Sequence, residues 1–165
     1  MKNILLVALC FVLTACGFQL RGQASLPFKT IYVSFPVGHP IGMDVRRLIQ
    51  AGTTTRVVEK AKDAQATLDI ISVVNDKQIM SVSGGGRVRE FELRYRVSFR
   101  LYDAKGVDLI PTNEIALRRI IPYTDAQVVA KEGEEAMLVR EMQSDSAEQI
   151  LRRLEAVKVA PAKSS

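Results

Sequence analysis

EFELRYRVSFRLYD, residues 90–103, constrains this chain more than any other stretch. Phe91, Leu93, Tyr95, Val97, Phe99 and Leu101 alternate strictly with Glu92, Arg94, Arg96, Ser98 and Arg100. Period two belongs to a strand, whose successive side chains point to opposite faces of the sheet. One face therefore goes to a core and the other presents an arginine-rich row to its surroundings. The fold must supply a layer for the apolar row to pack against and leave the arginine row open.

The other elements follow from similar patterns. TIYVSF, residues 30–35, is β-branched and aromatic and ends at Pro36, which reads as a short strand. In HPIGMDVRRLIQAG the apolar residues Ile41, Val45, Leu48 and Ile49 recur at i, i+4, i+7 and i+8, with Pro40 near the start and Gly52 after the end. That spacing predicts a helix with Arg46, Arg47 and Gln50 toward solvent. Arg56–Val58 is a candidate short strand, and EKAKDAQA after it is a polar connection. Leu68 to about Val82 reads as either a strand pair or one long bent strand. SGGGRVRE follows, and its three glycines supply the positive φ of a hairpin tip. A phosphate-cradling glycine loop would need a helix to begin there, and a strand begins instead.

Asp103–Gly106 forms a turn, and Glu114–Ile121 a last strand. After Pro122 the spacing predicts a long helix, opened by a capping box of Thr124 and Gln127. Its apolar stripe is Met137, Leu138, Met142, Ala147, Ile150, Leu151 and Leu154, with Glu148 and Arg152 paired on the polar side. The resulting expectation is an α+β fold: a two-layer sandwich with two helices packed on one face of a mostly antiparallel four-stranded sheet. The domain should run over 30–157, with 158–165 a disordered tail.

The N-terminus is of a different kind. Residues 4–13 are uninterrupted apolar, preceded by Lys2. Ten helical residues reach about 15 Å, half of a bilayer core of about 30 Å, so this segment is too short to span. A basic start, a short apolar run and small residues before a cleavage point are the layout of an export signal over 1–15. Leu13-Thr14-Ala15-Cys16 resembles the lipobox of bacterial lipoproteins, which makes Cys16 the lipidated first residue and 16–29 a lipidated N-terminus and linker. Gly17 behind it, with no aspartate, resembles the outer-membrane sorting pattern. Cys10 leaves with the signal and Cys16 is acylated, so no disulfide remains. The net charge of +5 becomes +4 when Lys2 is removed, a basic excess that suits an acidic partner.

Catalytic and metal chemistry find little support. The single histidine, His39, lies in a loop with no nucleophile motif such as G-x-S-x-G, and the aspartates are scattered over strand ends and turns. No cofactor is expected. Nucleic-acid binding would need aromatics interleaved with cations on one face, whereas here they alternate to opposite faces.

GFQLRG after the cysteine and AKEGEEAMLVREMQSDSAEQILRRL in the last helix resemble the LptE family of lipopolysaccharide-assembly lipoproteins of the Gram-negative outer membrane. The resemblance extends over nearly the whole mature chain. It implies a non-enzymatic lipoprotein that plugs the lumen of the LptD β-barrel, assists its assembly and binds lipopolysaccharide. The arginine row Arg94, Arg96 and Arg100 would then be free for partner contact. A lysine before the helix's acidic stretch, implicated in lipopolysaccharide contact in that family, carries over as Lys131. The family's basic residue near the hairpin tip falls among Gly84–Gly86 here, and the nearest cations are Arg87 and Arg89. An alternative reading is a lipoprotein subunit of another envelope lipid-transport assembly.

Overall fold

The computed structural model describes residues 25–123 and 128–157. In chain order the elements are β1 (Thr30–Ser34), α1 (Ile41–Gly52), β2 (Arg56–Val57), a 3-10 turn (Ala61–Asp63), β3 (Ala66–Val82), β4 (Val88–Asp103), β5 (Asp108–Pro122) and α2 (Val128–Glu155). They build one sheet in the order β2-β1-β3-β4-β5 with both helices on one face. The expected α+β sandwich is therefore present, with five strands and not four. The additional strand is β2, two residues paired parallel to β1. The neighbouring Val58 N–H donates to the Ile31 carbonyl at 2.9 Å. β2 stands where the sequence offers Arg56–Val58 as a candidate strand; its place in the sheet is not legible there, because a parallel neighbour across a helical crossover leaves no local signal.

β4 behaves as its alternation predicts. Leu93, Tyr95, Val97, Phe99 and Leu101 are buried under the helices, and Phe91, at the less covered end, is half-buried. β3 is one continuous strand. Ile70 opposes Phe99 but Ser72 opposes Ser98, so Ile71 is an extra residue in a bulge, and a second irregularity follows at Met80. A bulge shifts the side-chain phase by one. Ala66, Leu68 and Ile70 face the core from even positions, whereas Val73 and Lys77 oppose the core-row residues Val97 and Leu93 from odd ones. That phase change is why the sequence suggested either a break or a bend.

β5 begins six residues earlier than its period suggested, at Asp108 instead of Glu114. Pro111 disguised the start, and it is tolerated because β5 is an edge strand with an irregularity between Ile110 and Asn113. At the hairpin tip only Gly86, at φ 76°, needs the left-handed region; Gly84 and Gly85 do not. Gly106, at φ 81°, closes the Asp103–Gly106 turn, where the Asp103 carboxylate accepts the N–H groups of Lys105 and Val107.

α1 buries Ile41, Gly42, Val45 and Ile49. Its Gly42 is a steric requirement: a Cβ there would lie 2.1 Å from the Phe35 ring. Arg46, expected in solvent, instead folds back over the sheet. Its guanidinium donates to the Val33 carbonyl at 3.0 Å and stacks 5.2 Å from the Phe35 ring centroid, because its aliphatic stem covers apolar surface there. α2 buries Met142, Ala147, Ile150 and Leu154, each completely. Full burial of a side chain the size of Met142, Ile150 or Leu154 contributes about 1.5–3 kcal/mol. Met137 departs from the expected stripe at 48% exposure: five residues before Met142 it points away from the buried face, while its neighbours Leu138 and Val139 pack against the core. Ser146 is buried within the stripe, and its hydroxyl donates to the Met142 carbonyl. Leu26 and Phe28, in the segment read as a linker, also join the core. The capping box at Thr124 and Gln127 and the tail 158–165 lie outside the described residues.

Candidate functional site

Two surfaces carry the charged residues singled out in the sequence. The first is the sheet face away from the helices. Arg94, Arg96 and Arg100 project from β4 there, partly exposed as expected, but each has a carboxylate beside it. Arg94 Nε donates to Glu92 at 2.5 Å, and Arg118 of β5 approaches the same carboxylate at 3.9 Å. Arg96 lies 3.9 Å from Asp76 and Arg100 3.4 Å from Asp69, both on β3. A shallow polar depression of about 270 Å³ opens among Asp76, Arg94, Arg96, Glu114 and Arg118. The row is thus a mixed-charge lattice. Asp69 and Asp76, read with the other aspartates as strand-end and turn residues, lie within β3, and their pairing with the arginines was not legible because pairing across strands is not visible along one strand. Exposed pairs of this kind contribute about 0–1 kcal/mol each, so the lattice does little for stability and is available to a partner.

The second surface is the far end of the hairpin. Arg87 and Arg89 are exposed at its tip, where the Arg87 N–H donates to Ser83 Oγ. The carbonyl of Arg89 accepts the Tyr123 N–H at 2.7 Å, which holds the end of β5 against β4. The Tyr123 ring meets Phe91 edge to face, with centroids 5.2 Å apart. Lys131, from the first turns of α2, is 18% exposed and pairs with Glu134 at 2.7 Å.

Lys131 shares its surroundings with a cation the sequence reading missed. A depression of about 180 Å³ is lined by Lys77, Phe91, Ile121, Tyr123, Lys131, Glu132 and Glu135; neither Arg87 nor Arg89 lines it. Lys77 Nζ stands 4.9 Å from the Phe91 ring centroid and 2.6 Å from the Glu135 carboxylate. NDKQI looks like a solvated strand, and only the bulge at Ile71 turns Lys77 to the helix side. The arrangement is two ammonium groups and two carboxylates over an aromatic and aliphatic floor. It suits an anionic head group attached to an apolar body.

Apolar surface continues from this point. β1 pairs with β3 only from Ala66 to Asp69, so beyond Asp69 the strand is a sheet edge among the described residues. Ile79, Met80 and Val82 along it are each more than half exposed. Among the described residues no group of His, Cys, Asp and Glu side chains is arranged to hold a metal ion. Cys16 lies outside them.

Comparison with known proteins adds a family. The model described as LptE, lipopolysaccharide-assembly, matches residues 28–154. The LPS-assembly lipoprotein LptE of Yersinia pestis is 29% identical over 168 residues, which cover 98% of this chain and 79% of the relative. Among solved structures, an uncharacterized lipoprotein B from Nitrosomonas europaea is 48% identical, with a TM-score of 0.75 and coverage of 85% of this chain and 91% of that one. The rare lipoprotein B of Shewanella oneidensis, 23% identical with a TM-score of 0.67 over 77% of this chain and 94% of its own, shares the fold.

Proposed function

Because this chain belongs to the LptE lipopolysaccharide-assembly family, we propose that it is a non-enzymatic outer-membrane lipoprotein that plugs the LptD β-barrel, assists the barrel's assembly and binds lipopolysaccharide on its way to the cell surface. The observation that carries this reading is the family match, which runs from before β1 to the last turn of α2 and so includes all five strands and nearly all of both helices. Acyl chains on Cys16 tether the protein to the membrane; at about 0.8 kcal/mol per buried CH₂, two or more chains give stable anchoring.

The two charged surfaces divide the work. The lattice of Arg94, Arg96 and Arg100 with its carboxylates meets the barrel wall, where matched charges guide encounter and register. The hairpin end meets the lipopolysaccharide. Arg87 and Arg89 offer planar forks to phosphate, Lys131 offers a point charge, and Ile79, Met80 and Val82 offer apolar surface beside them.

Purification from membranes through a tag after Ser165 tests the assignment. A β-barrel should accompany the protein in stoichiometric amount, and the triple variant Arg94→Glu, Arg96→Glu, Arg100→Glu should recover much less of it with unchanged helix and strand content. Recovery of the protein without a barrel would refute the plug, and an unmodified N-terminal Cys16 in intact mass would refute the anchor.

A further inference from the structure

We infer that Lys77 is a second cation of the head-group site beside Lys131, and that Glu134 and Glu135 hold that site closed until a phosphorylated amphiphile displaces them. This rests on the proposed binding of lipopolysaccharide and names how its site is built and regulated.

Lys77 and Lys131 are 54 residues apart in the chain and line one depression. Each ammonium is met by a carboxylate from neighbouring positions of α2. Lys131 has Glu134 at 2.7 Å, and Lys77 has Glu135 at 2.6 Å. The second pair spans from sheet to helix, so it cannot be attributed to helix propensity. Glu135 lines the depression together with Glu132 and places negative charge where a phosphate would go, whereas Glu134 engages the Lys131 ammonium from outside that lining.

The exchange favours a phosphate for stated reasons. An ammonium has three donors, and a phosphate brings close to two negative charges and three acceptor oxygens where a carboxylate brings one charge and two. Lys77 is 42% exposed and Glu135 32%, so water screens their attraction and the pair opens at small cost. Phe91 keeps the site in shape meanwhile. Its ring holds the Lys77 ammonium by a cation–π contact that does not depend on Glu135, so the cation remains positioned when the carboxylate leaves. An amphiphile with a weaker anion, or none, cannot displace the carboxylates from the two ammonium groups and leaves the site closed. The same pair of residues thus supplies closure and selectivity.

The experiment titrates the mature acylated protein in detergent with lipid A bearing two phosphates and with its dephosphorylated counterpart. Glu134→Gln and Glu135→Gln should each tighten binding of the phosphorylated probe about threefold, and together about tenfold, the scale of exposed ion pairs. Lys77→Gln should weaken it about fivefold and abolish the gain from Glu135→Gln. Glu148→Gln, an equal charge change elsewhere on α2, is the control and should stay near the parent. All variants should share the parent's thermal unfolding, since the changed side chains are partly exposed. Gains no larger than that of Glu148→Gln, or parent-like binding by Lys77→Gln, would overturn the closure while phosphate-dependent binding persisted. Equal binding of the two probes by the parent and by the double glutamine variant alike would overturn the lipopolysaccharide reading itself.

Discussion

The two ends of the β3–β4 hairpin are made of the same two strands and meet opposite surroundings. Where β1 joins the sheet, Ala66, Leu68 and Ile70 of β3 and Phe99 and Leu101 of β4 are at most 2% exposed. At the tip, Ile79, Met80 and Val82 are each more than half exposed. Their chemistry does not differ; their coverage does. The 12 residues of α1 make a rod of about 18 Å, against about 56 Å for the 17 residues of β3. α1 lies over β1 and β2, and only the first turns of α2 extend toward the tip. An apolar side chain is core only if something lies opposite. At the tip the strand has outrun its helices, and the surplus apolar surface is left beside cations.

The largest expected effect tests that difference directly. Phe99→Ala should cost about 3–5 kcal/mol in denaturant-induced unfolding, the usual loss for a fully buried ring. Ile79→Ala, equally apolar but exposed, should stay within about 0.5 kcal/mol of the parent. Comparable losses at the two positions would mean that the tip is structural and not spare.

Next comes the binding contrast. Changing Arg87, Arg89 and Lys131 together to Asp should weaken lipopolysaccharide binding more than tenfold, about 1.4 kcal/mol, in an equilibrium titration at low salt. Added salt should weaken the parent's binding as well. The melting temperature should move little, because at least two of these three side chains are exposed and only Lys131 is largely covered. Parent-like affinity would remove the hairpin end from consideration.

The last effect belongs to the covered half and appears only at alkaline pH. The Tyr95 phenol is pushed up to about 12, first by burial and then by the Asp44 carboxylate. In the unfolded chain it titrates near 10. Between these values the folded state keeps a proton that the unfolded state has lost. Its contribution is therefore whole below about pH 10 and falls away as pH rises toward 12. Tyr95→Phe should lose less stability than the parent between pH 9 and 11.5 in matched urea titrations. Parallel curves would show that Tyr95 ionises as easily inside the protein as outside it.

Local pattern by itself determined the parts of this molecule where one face of an element is buried along its length. The alternation from Phe91 to Leu101 assigned both faces of β4, and the 3.6 period assigned Met142, Ile150 and Leu154 to the core, because a one-residue slip would expose the whole row. The glycines marked both tight turns. Tertiary structure alone decided which patterned residues find a cover and which charges meet. Ile79 continues an apolar pattern into a place where no layer lies opposite, and Arg46 leaves solvent because Phe35 offers it a surface. Lys77 faces α2 only because a bulge at Ile71 shifts the phase of β3, and its meeting with Glu135 and Lys131 joins elements more than fifty residues apart. Period is a property of neighbours along the chain, whereas coverage and charge pairing depend on the register between strands and on how far a helix reaches.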